Sequence, residues 1–182
     1  MELIDPRQFL VKIAKTLDNL NIPYVVTGGM AVAIWGRVRF TADIDLVVEL
    51  KTNDIDILAS DLLRLSEFGY VDKDAMREAL ANQGEFNFIE GGSGIKVDFW
   101  VKSNLPELNR CVSKDILGRQ VCFISPEDLI LSKLRWYKIS PSSRHIEDVE
   151  SILKISGDKL DKDYLIEQSR KQDTWDELNK LL

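Results

Sequence analysis

Asp43 and Asp45 are two acidic residues that could bind a cation together. They stand at the start of an apolar stretch, Ile44 and residues 46–48, that predicts a β-strand. Because alternate side chains of a strand share a face, both carboxylates would project the same way, opposite Ile44. Proteins bind Mg²⁺ with one or two carboxylates together with substrate phosphates. The pair therefore predicts a magnesium site, although the pattern Asp-x-Asp alone is also typical of a solvated strand end.

A glycine pair, Gly28 and Gly29, lies between a predicted strand that includes Val25 and Val26 and a short predicted helix, residues 31–35. Glycine permits a positive φ and lets a ligand approach the backbone closely. The first amides of the helix would offer donors and the positive end of the helix dipole to a phosphate. Alone, the pair is more typical of a tight turn without a ligand. Its position before the two acids favours a turn that holds phosphate beside the metal.

A third aspartate, Asp98, lies in the second strand of a predicted hairpin. Apolar residues alternate with polar ones over residues 86–88, residues 90–94 predict a turn, and the alternation returns over residues 95–101. Asp98 would lie on the polar face of this strand, next to Lys96. If this strand pairs with the one that carries the first two aspartates, three carboxylates converge on one point.

Lys133 interrupts the apolar stripe of a helix whose start is predicted by Ser125 and Pro126. A buried, unpaired ammonium group is costly, so this lysine needs an explanation. Either its methylenes pack while the ammonium reaches water, or the ammonium neutralises the charge of a triphosphate. The stretch from Lys133 to Arg144 contains basic residues and no acid, which predicts a positive patch for a polyanion or a solvated loop.

Four neighbouring residues have ordinary structural explanations. Asp148 follows Arg144 by four positions on the last clear helix, a spacing typical of an ion pair within a helix. His145, the only histidine, is expected to have no catalytic role, because no cysteine or serine nucleophile is visibly partnered with it. Trp136 and Tyr137 could stack a base, but aromatic residues at helical spacing are more often part of a core.

The elements that must position these residues form a chain that alternates helices and strands. An N-terminal helix is predicted by the cap Asp5 and by Pro6 in its first turn. Residues 71–82 predict a short helix or a linker, and residues 120–124 predict a short strand ahead of Ser125. Further helices are predicted over residues 55–65, 126–137 and 144–153, and the amphipathic tail, 161–182, predicts one or two more.

The composition is that of an ordinary globular protein: 182 residues, 45% hydrophobic and 30% charged. No apolar run approaches the ~20 residues of a membrane helix, and the first ten residues do not resemble a signal peptide. We therefore expect a cytoplasmic protein without a membrane partner. The net charge of −6 argues against a surface coated with basic residues, but it allows a local basic groove.

The two cysteines, Cys111 and Cys122, have no Cys-x-x-Cys pattern and no histidine at ligand spacing. A disulfide scaffold and a zinc site are both disfavoured. Both thiols are expected to be reduced.

Taken together, the glycine pair, the triplet at residues 43–45 and the later strand at 96–100 resemble the nucleotidyltransferase superfamily that includes DNA polymerase β and the CCA-adding enzymes. The sequence is more similar to the minimal bacterial branch of that superfamily, the AbiEii-type toxins. This similarity also includes residues 39–41, the helix at 126–133 and Asp148, and it extends over residues 22–153. The longer toxins carry a further helical domain, for which this chain has little length.

The resemblance implies an α+β fold in which a mixed β-sheet is flanked by α-helices. Residues 1–125 would form the core, and residues 126–182 a helical segment packed on it as one compact unit. The resemblance implies Mg²⁺ or Mn²⁺ bound by Asp43, Asp45 and Asp98, with Asp98 also available as a base. It implies a nucleotide held by Gly28, Gly29, Arg39, Thr41, Lys133 and Asp148.

The predicted activity is metal-dependent transfer of a nucleoside monophosphate from an NTP to an acceptor hydroxyl. RNA, especially a tRNA end, fits the basic stretch, and a protein hydroxyl fits a toxin with a cognate antitoxin. A small aminoglycoside-like acceptor has no acidic pocket beyond the metal site to support it. The same domain could instead bind nucleotide without turnover or act as a regulatory partner, and a fold with coincidental acids is a third alternative. The presence of all three acids and both glycines favours the enzyme.

Overall fold

The computed structural model describes residues 5–39, 41 and 43–182. The strands of this part of the chain are β1 (Tyr24–Thr27), β2 (Asp43–Glu49), β3 (Tyr70–Val71), β4 (Glu85–Ile89), β5 (Lys96–Lys102), β6 (Val112–Ile116) and β7 (Arg119–Phe123). These seven strands of the described residues form one sheet in the order β3-β4-β5-β2-β1-β7-β6. The sheet is mixed, because β2 pairs with β5 and β1 with β7 in parallel, while the other neighbours are antiparallel.

Helices surround the sheet. They are α1 (Pro6–Asn19), α2 (Gly28–Trp35), α3 (Asp54–Leu63), α4 (Lys73–Asn82), α5 (Pro126–Ile139), α6 (Ser143–Ser156), α7 (Lys162–Lys171) and α8 (Trp175–Asn179). Short 3-10 turns occur at Pro106–Asn109 and Gly157–Lys159. The predicted fold, a mixed sheet flanked by helices, is confirmed.

Two helix caps explain where predicted helices begin. The Asp5 carboxylate accepts a hydrogen bond from the Arg7 amide (2.9 Å), and Pro6 occupies the first turn of α1. The Ser125 hydroxyl accepts a hydrogen bond from the Asp128 amide (3.1 Å) at the start of α5. Both helix starts agree with the sequence prediction.

The two central strands, β2 and β5, each have one buried face and one polar face. Ile44, Leu46, Val97 and Phe99 are fully buried on the first face. The α1 helix covers that face, where the Phe9 ring stacks on Phe88 of the neighbouring β4 with centroids 6.0 Å apart. The aspartates of both strands therefore project from the opposite face of the sheet, as predicted.

Strands β3 and β6 were not predicted. The β3 strand has only two residues, too few for a periodic pattern. In β6, Ile116 is the only buried residue and exposed polar residues alternate along the strand. Residues 71–82, interpreted as a helix or a linker, contain the helix α4, whose first amides are capped by the Asp72 carboxylate.

The prediction of two reduced thiols is wrong for this structure. Cys111 and Cys122 form a disulfide, and their Cα atoms are 5.8 Å apart. The β6–β7 register pairs Ser113 with Cys122, which brings Cys111, just before β6, beside it. This proximity comes from strand pairing, so the spacing of the two cysteines in the sequence could not reveal it.

The predicted boundary between residues 125 and 126 falls directly before α5, and the division of the chain there stays a prediction. Among the described residues, no helix is long and apolar enough to cross a membrane.

Candidate active site

A cavity of about 930 Å³ opens on the polar face of β2 and β5. Its volume is at the upper end of the range for small-molecule sites, roughly 300–1,000 Å³. Seven predicted site residues line it: Gly28, Gly29, Arg39, Thr41, Asp43, Asp45 and Lys133. The other two, Asp98 and Asp148, lie next to lining residues, since Asp98 is the register partner of Asp45 and Asp148 contacts Lys133.

Asp45 is the more enclosed of the two aspartates on β2, whereas Asp43 is exposed at the start of the strand. Burial, together with the charges of Asp98 and Asp43, raises the pKa of the Asp45 carboxyl. A hydrogen bond from the Gly29 amide and the positive charge of Lys133 act in the opposite direction. A divalent cation would stabilise the charged form, so the surroundings of Asp45 suit a metal ligand better than a solvated surface acid.

Gly28 is a position where only glycine fits. Its φ is +60°, in the left-handed region that side chains rarely adopt. A Cβ atom built there would lie 1.8 Å from Oδ2 of Asp45. The glycine therefore lets the start of α2 lie against the Asp45 carboxylate, which brings the predicted phosphate-binding turn next to the predicted metal ligand.

Gly29 is constrained by Thr41. A Cβ at Gly29 would lie 2.9 Å from Oγ1 of Thr41, and the Thr41 hydroxyl itself donates to the backbone oxygen of Asp43 (3.1 Å). Thr41 thus connects the chain before β2 to the glycine turn. Gly29 and Thr41, which are both predicted to bind nucleotide, lie at the same end of the cavity as Asp43.

Replacing Gly28 with alanine is expected to cost about 1–3 kcal/mol of stability through backbone strain and to weaken Mn²⁺ binding by displacing the Asp45 carboxylate. Urea unfolding would measure the first effect, and electron paramagnetic resonance (EPR) titration of free Mn²⁺ the second. Gly94→Ala is the control, because Gly94 has φ +73° but a Cβ added to it would have no atom within 4 Å. Equal Mn²⁺ affinities in the two variants would contradict the proposed role of Gly28.

A buried ion network lies beside the glycine turn. Arg39 donates two hydrogen bonds to Asp148, from Nε to Oδ1 (3.1 Å) and from Nη2 to Oδ2 (3.2 Å). Nζ of Lys133 lies 2.9 Å from Oδ2 of the same carboxylate. The side chains of Arg39, Asp148 and Lys133 are 19%, 5% and 11% exposed. Burial acts to raise the pKa of Asp148, but the bonds and charges of Arg39 and Lys133 lower it overall.

This network corrects two interpretations of the sequence. Asp148 does not pair with Arg144 along the helix α6; its partners come from the chain after α2 and from α5. Lys133 does not extend its ammonium group into water as a snorkelling lysine would, because this group pairs with the buried carboxylate of Asp148. Two cations share one anion, so the network carries a net positive charge where Arg39 and Lys133 line the cavity.

Asp98 lies beside Asp45, as the predicted pairing of their strands requires. The β2–β5 register pairs Asp45 with Asp98 and Asp43 with Lys96. Nζ of Lys96 is 2.9 Å from Oδ2 of Asp98, and the Asp98 side chain is 15% exposed. The hydrogen bond with Asp98 and the charges of Asp98, Asp43 and Asp45 raise the pKa of Lys96 despite partial burial.

Asp43, Asp45 and Asp98 lie close together, but their side chains are not arranged as one set of metal ligands. Across residues 5–39, 41 and 43–182, no group of three or more acidic, histidine or cysteine side chains is arranged to hold a metal ion. Asp43 and Asp45 face the cavity, whereas Asp98 is engaged by Lys96. Metal binding by Asp98 therefore stays a prediction.

Two tryptophans, Trp100 and Trp136, line another part of the cavity. Of these two, only Trp136 was considered from the sequence as a residue that could stack on a base. Trp100 of β5 and Trp136 of α5 meet edge to face, with ring centroids 5.4 Å apart. Trp136 is 39% exposed and lines the cavity, which favours ligand contact over the core for this residue. Arg135 and Arg144 also line the cavity, and neither forms an ion pair with another described residue.

His145 lines the cavity as well, although the sequence suggested no catalytic role for it. Its Nδ1 atom is buried and has no hydrogen-bond partner among the described residues. Burial and the nearby charge of Lys133 lower its pKa, which favours a neutral imidazole. A neutral ring beside Lys133 adds no charge to this wall of the cavity.

Two acids of the cavity lining, Glu107 and Asp128, were not predicted from the sequence, which indicated no acidic pocket beyond the metal site. Glu107 pairs with Lys102, and Asp128 accepts a hydrogen bond from the Tyr164 hydroxyl (2.7 Å). Both come from segments far from β2 in the sequence. No local pattern distinguishes them from ordinary surface and capping acids.

Three solved structures share the fold of this chain. ANT(2'')-Ia in complex with adenylyl-2''-tobramycin has a TM-score of 0.62 and 22% identity, over 91% of this chain and 97% of that chain. The lincosamide antibiotic adenylyltransferase LnuA, in its lincomycin-bound form, has a TM-score of 0.57 and 11% identity, over 85% and 99%. An antigenic nucleotidyltransferase-like protein from Paracoccidioides brasiliensis has a TM-score of 0.55 and 21% identity, over 82% and 75%.

Sequence comparison adds the family. The comparison with curated proteins found no match. Residues 10–180 match the family described as "Nucleotidyl transferase AbiEii toxin, Type IV TA system". The match spans nearly the whole chain and includes the glycine turn, the three aspartates, Lys133 and Asp148, and the fold is that of nucleotidyltransferases. This chain therefore belongs to the AbiEii nucleotidyltransferase family.

Proposed function

We propose that this protein transfers a nucleoside monophosphate from an NTP to an acceptor hydroxyl, with the help of a divalent metal ion. The observation that carries the proposal is the joint position of Asp43 and Asp45 beside the glycine turn at residues 28–29, in a cavity that Lys133 also lines. Carboxylates for a metal and cationic groups for phosphate are the two components that phosphoryl-group chemistry needs.

The residues present fit Mg²⁺ or Mn²⁺. Asp43 and Asp45 offer carboxylate oxygens on one face of β2, and such hard ligands suit these ions when substrate phosphates complete the coordination. Gly28 keeps the space against the Asp45 carboxylate free of a side chain. Asp98 would serve as a further ligand or as the base. When bound, the ion would neutralise charge on the phosphates during transfer.

The reaction is a substitution at the α-phosphorus of the NTP. The acceptor oxygen forms a bond to this phosphorus, the bond to the bridging oxygen breaks, and pyrophosphate leaves. The proton of the acceptor hydroxyl would pass to Asp98. The start of α2, Thr41, Arg39 and Lys133 would hold the phosphates, and Asp148 would keep the last two side chains in place. The protein would act mainly through positioning and charge neutralisation.

RNA, especially a tRNA end, is the acceptor that the cavity supports best. Arg135 and Arg144 leave positive charge free on the lining, and Trp136 exposes a ring on which a base could stack. A protein hydroxyl is the alternative, and the family description supports a cognate antitoxin as a partner. Antibiotic acceptors, as named for the structural neighbours, receive less support because Glu107 already pairs with Lys102 and Asp128 already accepts a hydrogen bond from Tyr164.

The test is incubation of the protein with each α-³²P-labelled NTP, Mg²⁺ and total bacterial RNA. Label on RNA is expected, and the NTP that gives it identifies the donor. Label on a protein band would instead support the protein acceptor. Binding of nucleotide without label on either would overturn transferase activity in favour of a regulatory nucleotide-binding protein. A cytoplasmic location belongs to the proposal, because NTPs and RNA are found together there.

A further inference from the structure

Lys96 is a cation built into the group of aspartates. The β2–β5 register places Lys96 beside Asp43 and Asp98 beside Asp45. Alternate residues of a strand share a face, so these four side chains form a two-by-two array on the polar face of the sheet. Three of its members are carboxylates and the fourth is an ammonium group.

The Lys96 ammonium group forms an ion pair with one of the three carboxylates, that of Asp98. Nζ of Lys96 lies 2.9 Å from Oδ2 of Asp98, and the Lys96 side chain is 42% exposed while Asp98 is 15% exposed. Asp43 and Asp45 line the cavity, and Asp98 lies beside Asp45 on the same face of the sheet. Among the described residues, the array therefore separates into a pair of acids that face the cavity and an ion pair beside them.

A second divalent ion at Asp98 would meet this ammonium group. It would have to displace Lys96 from Oδ2 or bind within a few ångströms of a like charge, which is unfavourable near the protein surface. A first ion at Asp43 and Asp45 would also lie near Lys96, but it would displace no ion pair, since Lys96 pairs with Asp98 and Lys133 pairs with Asp148. The charges of the array thus favour one divalent ion over two.

We propose that the Lys96 ammonium takes the place of a second divalent cation, so that the protein binds one such ion, at Asp43 and Asp45, together with its nucleotide. This inference rests on the proposed function. It assigns Lys96 as a positioning residue that holds Asp98 through Oδ2. The same carboxylate would accept the hydrogen bond and then the proton of the acceptor hydroxyl.

The experiment counts bound Mn²⁺ by EPR in the presence of saturating non-hydrolysable NTP analogue, with the analogue alone subtracted. Wild type is expected to bind one Mn²⁺ ion per chain. Lys96→Met removes the ammonium group and is expected to bind two, with the spectrum of a spin-coupled pair. Lys96→Arg restores a cation and should return the count to one, as should the double variant Lys96→Met/Asp98→Asn, which lacks the carboxylate of the second site.

A count of two in wild type, or a count of one in Lys96→Met, would overturn the inference and leave Lys96 as an ordinary structural ion-pair partner. A wild-type count of two overturns the inference even if a variant fails to fold, and circular dichroism checks that each variant used for the comparison is folded. Two ions bound by a wild-type protein that still transfers label would refute the role of Lys96 alone. A folded wild type that binds no Mn²⁺ would instead refute the proposed metal-dependent function.

Discussion

Asp45→Asn is expected to lower nucleotidyl transfer by about 10³-fold, the upper range for loss of one preorganised electrostatic group. Asparagine has nearly the same shape as aspartate but lacks the charge that binds the metal. Asp45 is also the acid in direct contact with the Gly28 turn, so its loss would separate the metal from the phosphates. The labelled-NTP assay measures the rate, and EPR with Mn²⁺ measures the loss of metal binding.

The same substitution is expected to stabilise the metal-free protein. Burial and the charges of Asp98 and Asp43 raise the pKa of Asp45, so its ionisation opposes folding as pH rises through that raised pKa. In EDTA at pH 7, Asp45→Asn should melt about 2–4 °C higher, the effect of roughly 1 kcal/mol in a domain of this size. The difference should vanish as pH falls below the ordinary value of 3.8, where the Asp45 carboxyl is protonated in both the folded and the unfolded protein.

The control for Asp45→Asn is Glu49→Gln. Glu49 lies on β2 on the same face as Asp45, but it does not line the cavity. It should transfer label at the wild-type rate and melt at the wild-type temperature in EDTA. Saturating Mg²⁺ and nucleotide should raise the melting temperature of wild type and of Glu49→Gln but not of Asp45→Asn. Undiminished transfer by Asp45→Asn would remove the proposed mechanism.

Asp148→Asn is expected to destabilise the protein by about 3–5 kcal/mol, because it leaves Arg39 and Lys133 buried without a counter-charge. In a domain of this size such a loss lowers the melting temperature by about 10 °C. Urea unfolding with thermal melting would measure both quantities. A loss below about 1 kcal/mol would show that the network contributes no more than a surface ion pair.

The acid sensitivity of the protein should change as well. The pKa of Asp148 is lowered in the folded protein, so the stability that this carboxylate contributes is present above its ordinary value of 3.8. That stability is lost as pH falls below 3.8 towards the lowered pKa. Asp148→Asn removes this contribution, and its free energy of unfolding should therefore depend less on pH in that acidic range than that of wild type.

Two further variants show whether the effect belongs to the network. Glu167→Gln breaks the exposed Lys171–Glu167 pair on α7 (2.6 Å) and should cost only about 0.3–0.5 kcal/mol. Adding Lys133→Met to Asp148→Asn should recover part of the lost stability, because it removes one of the two unpaired cations. Recovered stability without recovered transfer is expected, since Lys133 would also contact the nucleotide phosphates.

Local patterns in the sequence were enough to predict the parts of the site that lie on single elements. The alternation along β2 and β5 determines which faces carry Asp43, Asp45 and Asp98, because strand periodicity is a property of the backbone itself. Helix caps such as Ser125 are equally local, and they predicted α1 and α5 correctly. The glycine turn could also be located, since the positive φ at the first residue of α2 favours glycine.

Contacts between residues distant in the sequence were decided only by the tertiary structure. Arg39 and Asp148 are 109 positions apart, so helical spacing suggested Arg144 as the partner of Asp148 when packing supplies Arg39 and Lys133. The Cys111–Cys122 disulfide depends on strand register in the same way.

The sequence by itself determined the kinds of groups available to this protein: three carboxylates, a glycine turn and a basic stretch around Lys133. Their periodicity also determined which side chains share a face. The tertiary structure decided which charged groups are paired and which face the cavity. It pairs Lys96 with Asp98, whereas Asp43 and Asp45 line the cavity. The physical reason is that an ion pair forms where packing and strand register bring two groups together, and neither of these is encoded in the spacing along one element.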